Sequence, residues 1–111
     1  MPQVLSYVIT DPTDSEIYWD VQTNGSTDAT IGAGGVVMLA SASVGAVTIS
    51  LPSAVGNIDR IIVVKKTDGT SNAVNINPSG SETIDGAASE SITTQYASIT
   101  MVSDGSNWLI I

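Results

Sequence analysis

The chain has 111 residues, enough for one domain with a modest core and too few for a second. Hydrophobic residues make up 42% and charged residues only 13%, with eleven carboxylates against three basic side chains, no cysteine and no histidine. A net charge of −8 repels phosphate backbones and anionic lipid, which argues against nucleic-acid and membrane partners. Without cysteine there is no disulfide, thiolate metal site or thiol nucleophile. Without histidine there is no Ser-His-Asp triad and no imidazole ligand for a metal. No run reaches the roughly 18 apolar residues of a spanning helix, and the opening "MPQVLSYVITDP" lacks the basic start of a secretory signal. So few charges leave more apolar side chains than a lone chain of this size hides, and a subunit interface is expected to cover the surplus.

In chain order, residues 1–35 read as an amino-terminal arm and residues 36–111 as the folded domain. Within the arm, "QVLSYVIT" (3–10) suits one strand. The stretch "DPTDSEIYWDVQTNGSTDATIGAGG" (11–35) is extended and acidic, and "GAGG" (32–35) resembles a hinge. Tyr18 and Trp19 sit in its middle. They either pin the arm to its own domain or anchor a partner protein, since buried aromatics dominate interface energetics.

From residue 36 the hydrophobic pattern has period 2. "AVTISLP" sets Val47, Ile49 and Leu51 on one face against Thr48 and Ser50 on the other. "AVNINP" does the same with Val74 and Ile76 against Asn75 and Asn77, and Pro52 and Pro78 close the two runs. "VVMLA" (36–40) and "RIIVVKK" (60–66) are apolar on both faces, so each needs cover on both sides: a second sheet, the arm or another subunit. "SITTQYASITMV" (91–102) favours strand, and "SDGSNWLII" (103–111) reads as a turn and a final strand. Asp-Gly pairs at 68, 85 and 104 and Asn24-Gly25 mark turns, which suits an antiparallel meander or Greek key. No window has the composition of a helix. The expected fold is all-β, an antiparallel sandwich or barrel of jelly-roll type.

Little here promises catalysis. A serine nucleophile would need Lys65 or Lys66 as its base, yet these fall on opposite faces of one strand and better serve to neutralise carboxylates or guard an edge. Glu82 and Asp85 point to opposite faces of an extended segment, with Asp85 in a turn and Glu82 in solvent. Asp11, Asp14 and Glu16 lie close together but lack the loop spacing of a calcium site. "GAGGV" has neither the lysine nor the helix of a phosphate loop. The expectation is a non-enzyme with no cofactor and no metal.

Residues 46–111 carry a resemblance. "VTISLPSA" (47–54), "RIIVVKK" (60–66), "NINPSGSETIDG" (75–86), "YASITMVSDG" (96–105) and "NWLII" (107–111) together resemble a β module of bacteriophage structural proteins. That module occurs in capsid-decorating proteins and at the ends of head and tail fibres. The resemblance implies a trimeric β-sandwich or barrel on the virion surface. Ile62, Val64, Trp108, Leu109, Ile110 and Ile111 would then line the trimer interface. With so short a segment ahead of the module, the chain suits a decoration, or cement, protein that bridges major capsid proteins. Its arm would contact the capsid through Tyr7, Ile17, Tyr18 and Trp19. The alternative is a fibre-tip module whose loops 67–72 and 77–91, with Asp68, Asn72 and Asp85, bind a host surface glycan.

Overall fold

Alternation along the chain becomes alternation between two sheets. The computed structural model describes residues 20–32 and 34–111, and among them every regular element is a strand. In order these are β1 (Asp20–Thr23), β2 (Ala29–Thr30), β3 (Gly35–Ala40), β4 (Val47–Ser50), β5 (Ile61–Lys66), β6 (Val74–Asn77), β7 (Glu90–Ile92), β8 (Ser98–Ser103) and β9 (Trp108–Ile110). One sheet has the order β1-β3-β5-β8-β9, the other β2-β4-β6-β7. From β1 to β6 the chain therefore changes sheet at every step, and each strand lies beside the one two elements earlier.

Such winding makes neighbours parallel. β1, β3 and β5 run parallel, as do β2, β4 and β6, and only β7, β8 and β9 join antiparallel. The sheets are thus mixed, where hairpin signals led to an antiparallel expectation. The physical reason lies in the links. Asp68-Gly69 and its neighbours turn the chain from one sheet into the other instead of folding it back beside itself. Residues 20–32, assigned to the arm by composition, supply one edge strand to each sheet.

Period-2 patterning decides what is buried. Met38, Ala40, Ile62, Val64 and Met101 of the five-stranded sheet share one apolar cluster with Val47, Ile49, Val74, Ile76 and Ile92 of the four-stranded sheet. Trp108 enters the same cluster fully buried, and its indole Nε1 donates to the Pro52 carbonyl at 3.2 Å. A buried indole N–H needs a partner, and this one has it. Asp85-Gly86 forms a two-residue hairpin, with Ile84 and Ala87 exchanging N–H···O bonds of 2.9 Å across it. Both turn residues have positive φ, +49° and +83°, as the tight turn requires. Through that hairpin, Thr83 and Asp85 bond the main chain of Trp108 and cover the outer edge of β9.

Buried polar side chains lock the crossovers. Asn24 Nδ2 donates to the carbonyls of Thr27 and Ser41, while its Oδ1 accepts from the Ser41 N–H at 2.9 Å. The Arg60 guanidinium, one residue before β5, donates to the carbonyls of Gly32 (3.0 Å) and Gly35 (2.7 Å), so these two glycines of the stretch expected to hinge are tied to the five-stranded sheet. Burial lowers the Arg60 pKa from its ordinary value.

Candidate interaction surface

Register fixes which side chains share the outward side of the five-stranded sheet. One row across the strands reads Val21, Val37, Val63 and Thr100, with Ile111 bonded beside Thr100. A second reads Thr23, Leu39, Lys65 and Ser98, and a third Ile61, Val102 and Leu109. No Asp or Glu side chain occupies these positions, although the chain carries eleven. Val21, Ile61, Leu109 and Ile111 are exposed, while Val37, Leu39, Val63 and Val102 are half-buried among their neighbours. Nothing among the described residues lies over this face as the other sheet lies over its inward side.

At one end of the face Lys65 Nζ donates to the Tyr96 carbonyl at 2.7 Å and stands 5.7 Å from the centre of the Tyr96 ring. Tyr96 is 63% exposed and has a φ of +68°, a conformation that costs a bulky residue about 1–2 kcal/mol. Its N–H donates to the Lys66 carbonyl at 2.7 Å, so neighbouring main chain fixes the strained position.

The opposite exterior is unlike it. Outward positions of the four-stranded sheet are Thr30, Ser50 and Asn77 in one row and Thr48, Asn75 and Ser91 in the next. All are polar and uncharged, and Ser91 Oγ bonds Asn75 Oδ1 at 3.0 Å.

Several charged side chains are engaged with their own chain. Lys66 points inward with no exposed surface, and its Nζ meets Asp68 Oδ1 at 2.7 Å. Asp68 also accepts from the Ala42 N–H at 2.7 Å, the Thr70 N–H at 3.0 Å and the Thr70 hydroxyl. The Lys66 ammonium, then the Thr70 hydroxyl, hold the Asp68 carboxyl well below the usual carboxylate range. Glu82, expected in solvent, is half-buried instead: Ser53 Oγ and the Ala54 N–H donate to it at 2.7 and 2.8 Å. Burial alone would raise its pKa, but these bonds outweigh burial and lower it. Asp104 accepts from the N–H groups of Asn107 (2.8 Å) and Ser106 (2.9 Å), which lower its pKa.

Of the residues singled out in the sequence, Tyr7, Ile17, Tyr18 and Trp19 lie outside the described residues, as do Asp11, Asp14 and Glu16. Ile62, Val64 and Trp108 occupy the core of a single chain with no exposed surface, so a partner meets none of them on this fold. Leu109 and Ile111 lie on the outward face. Ile110 shares the side of Met101 and stays 36% exposed at the sheet edge. The face is instead built by Val21, Val37, Leu39, Ile61, Val63 and Val102, and the signal for it was the two-faced apolar character of "VVMLA" and "RIIVVKK". Asp68, Asn72 and Asp85, set aside for a glycan, bond their own main chain. Asn72 Nδ2 donates to the Ala42 carbonyl at 2.8 Å, and Asp85 Oδ1 accepts from the Ile110 N–H at 3.0 Å. No family model matches this chain, and comparison with curated proteins finds no relative.

Proposed function

We propose that the protein is a structural binding module: a β-sandwich that assembles with itself, as a trimer, and decorates a bacteriophage capsid by bridging its major capsid proteins. The observation that carries the reading is the largely apolar outward side of the five-stranded sheet, free of Asp and Glu side chains on an otherwise acidic chain. Monomers rarely leave so broad an apolar surface to water, and such patches mark interaction sites. Resemblance of residues 46–111 to the phage module supplies the virion context. Two mixed sheets that share one apolar cluster support the sandwich part of the reading. In this function the work is binding energy alone. A trimer that engages the shell at three places dissociates far more slowly than one contact would, because a released subunit rebinds at high effective concentration.

Attachment to the shell is assigned to Tyr7, Ile17, Tyr18 and Trp19. Full-length protein mixed with undecorated capsids should pellet with them, and Trp19→Ala with Tyr18→Ala should leave the protein in the supernatant with its oligomeric mass unchanged. Wild-type protein that stays in solution overturns the capsid reading. The fibre-tip alternative gains no support from its loops, where Asp68, Asn72 and Asp85 are occupied by their own main chain.

A further inference from the structure

We infer that the outward side of the five-stranded sheet is a homotypic interface, covered in solution by the same face of other copies of this chain. This deepens the self-assembly part of the reading above and is independent of its capsid part.

Charge argues for the occupant. Two copies of a chain with net charge −8 repel each other over the roughly 8–10 Å range of Coulomb forces at moderate salt. Contact is favoured where neither brings acidic side chains to it. The outward face meets that condition, with Lys65 its one charged side chain and Lys65 already held at one end by the Tyr96 carbonyl. A basic partner would find no acidic side chain on this face to pair with. An acidic partner of different sequence would find a single ammonium there.

Shape and area agree. Five strands about 4.8 Å apart, three of six residues and the edge strands of four and three, at about 3.3 Å per residue, make a face of roughly 400 Å². Two such faces in contact remove about 800 Å² in total from the strands alone, at the lower edge of specific interfaces, with the flanking Tyr96 and Ile111 adding to it. Valine, isoleucine and leucine on a pleated surface interdigitate with a like surface, as two sheets do when they pack about 10 Å apart. Around a threefold axis the same faces would enclose a second apolar core among three subunits.

The test uses full-length protein at low micromolar concentration, with mass measured by light scattering after size exclusion. Wild type should elute as a multiple of 11.4 kDa, with three copies expected. Val63→Glu, at the centre of the face, and Thr100→Glu, beside it at a position already polar, should each weaken association on the order of 100-fold or more by burying an unpaired carboxylate. Thr48→Glu, on the opposite exterior, should leave the mass unchanged. Circular dichroism separates a monomer that is folded from one that is not, and Thr100→Glu keeps the test valid if Val63→Glu does not fold. Raising ionic strength should strengthen wild-type association, because screening removes repulsion between acidic bodies. A wild-type mass of 11.4 kDa overturns the proposal, whether the chain's own first 19 residues or a foreign protein covers the face. So does an oligomer indifferent to both glutamates. A stable oligomer that ignores capsids upholds the interface and removes the virion function.

Discussion

The two sheets share a core and differ in what they show the outside. Outward positions of the four-stranded sheet are Thr30, Thr48, Ser50, Asn75, Asn77 and Ser91, each able to hydrogen-bond water. Outward positions of the five-stranded sheet carry Val21, Val37, Leu39, Ile61, Val63, Val102 and Leu109 beside Thr23, Lys65, Ser98 and Thr100. Both sheets contribute fully buried inward residues to one core, so folding a single chain demands no such difference. Selection for a stable monomer would place threonine at Val63 as readily as at Thr48. On the proposed reading the contrast records assembly: the second face of a sheet is shaped by what it meets after folding.

That contrast can be attacked in steps of decreasing size. Truncating either inward face should cost alike: Trp108→Ala about 3–5 kcal/mol and Ile76→Ala about 2–5 kcal/mol, read from urea midpoints. A large penalty on one sheet with a negligible one on the other would show that they do not share a core.

Acid comes next. Asp68, Glu82 and Asp104 all titrate below their ordinary values, so the stability they contribute is present above the unfolded values near 4. It is lost as pH falls from about 4 through their lower folded values, leaving Lys66 buried without its counter-charge. Neither outward face carries a titrating carboxylate side chain, so assembly and fold should be lost together. Dissociation at mild acidity with the circular dichroism signal intact would place acidic groups in the contact.

Asp85→Ala should cost about 1–2 kcal/mol, because alanine tolerates positive φ poorly and the Ile110 N–H loses its acceptor. Asp85→Gly should recover part of that in thermal unfolding, by restoring the backbone freedom. The smallest effects are expected at the exteriors: Thr48→Val and Val63→Thr should each shift monomer stability by no more than about 0.5 kcal/mol, while only Val63→Thr weakens association.

Much of this was legible in the sequence because period 2 is a local signal. Val47, Ile49, Val74 and Ile76 point inward and Thr48, Ser50, Asn75 and Asn77 outward, as the alternation requires. Lys65 and Lys66 do fall on opposite faces, and Asp85-Gly86 does make its turn. Parallel pairing was hidden, because the partner of β3 is β5, two elements away, and nothing local distinguishes a turn into the same sheet from one into the other. In "RIIVVKK" both faces are apolar and each ends in a lysine, so the pattern could not say that Ile62, Val64 and Lys66 go inside while Ile61, Val63 and Lys65 stay out. That choice depends on Asp68, which gives Lys66 a buried partner. Burial of Glu82 was equally invisible, for its donors Ser53 and Ala54 come from a crossover about thirty residues earlier.

The most direct measurement exploits the absence of native cysteine. A single thiol introduced as Thr100→Cys lies in the middle of the apolar face, and one introduced as Thr48→Cys lies on the polar exterior. Labelling rates followed across a dilution series should show Thr48→Cys reactive at every concentration. Thr100→Cys should be protected at high concentration and become reactive on dilution. Equal, concentration-independent reactivity at the two positions would mean that nothing covers the face and would contradict the account.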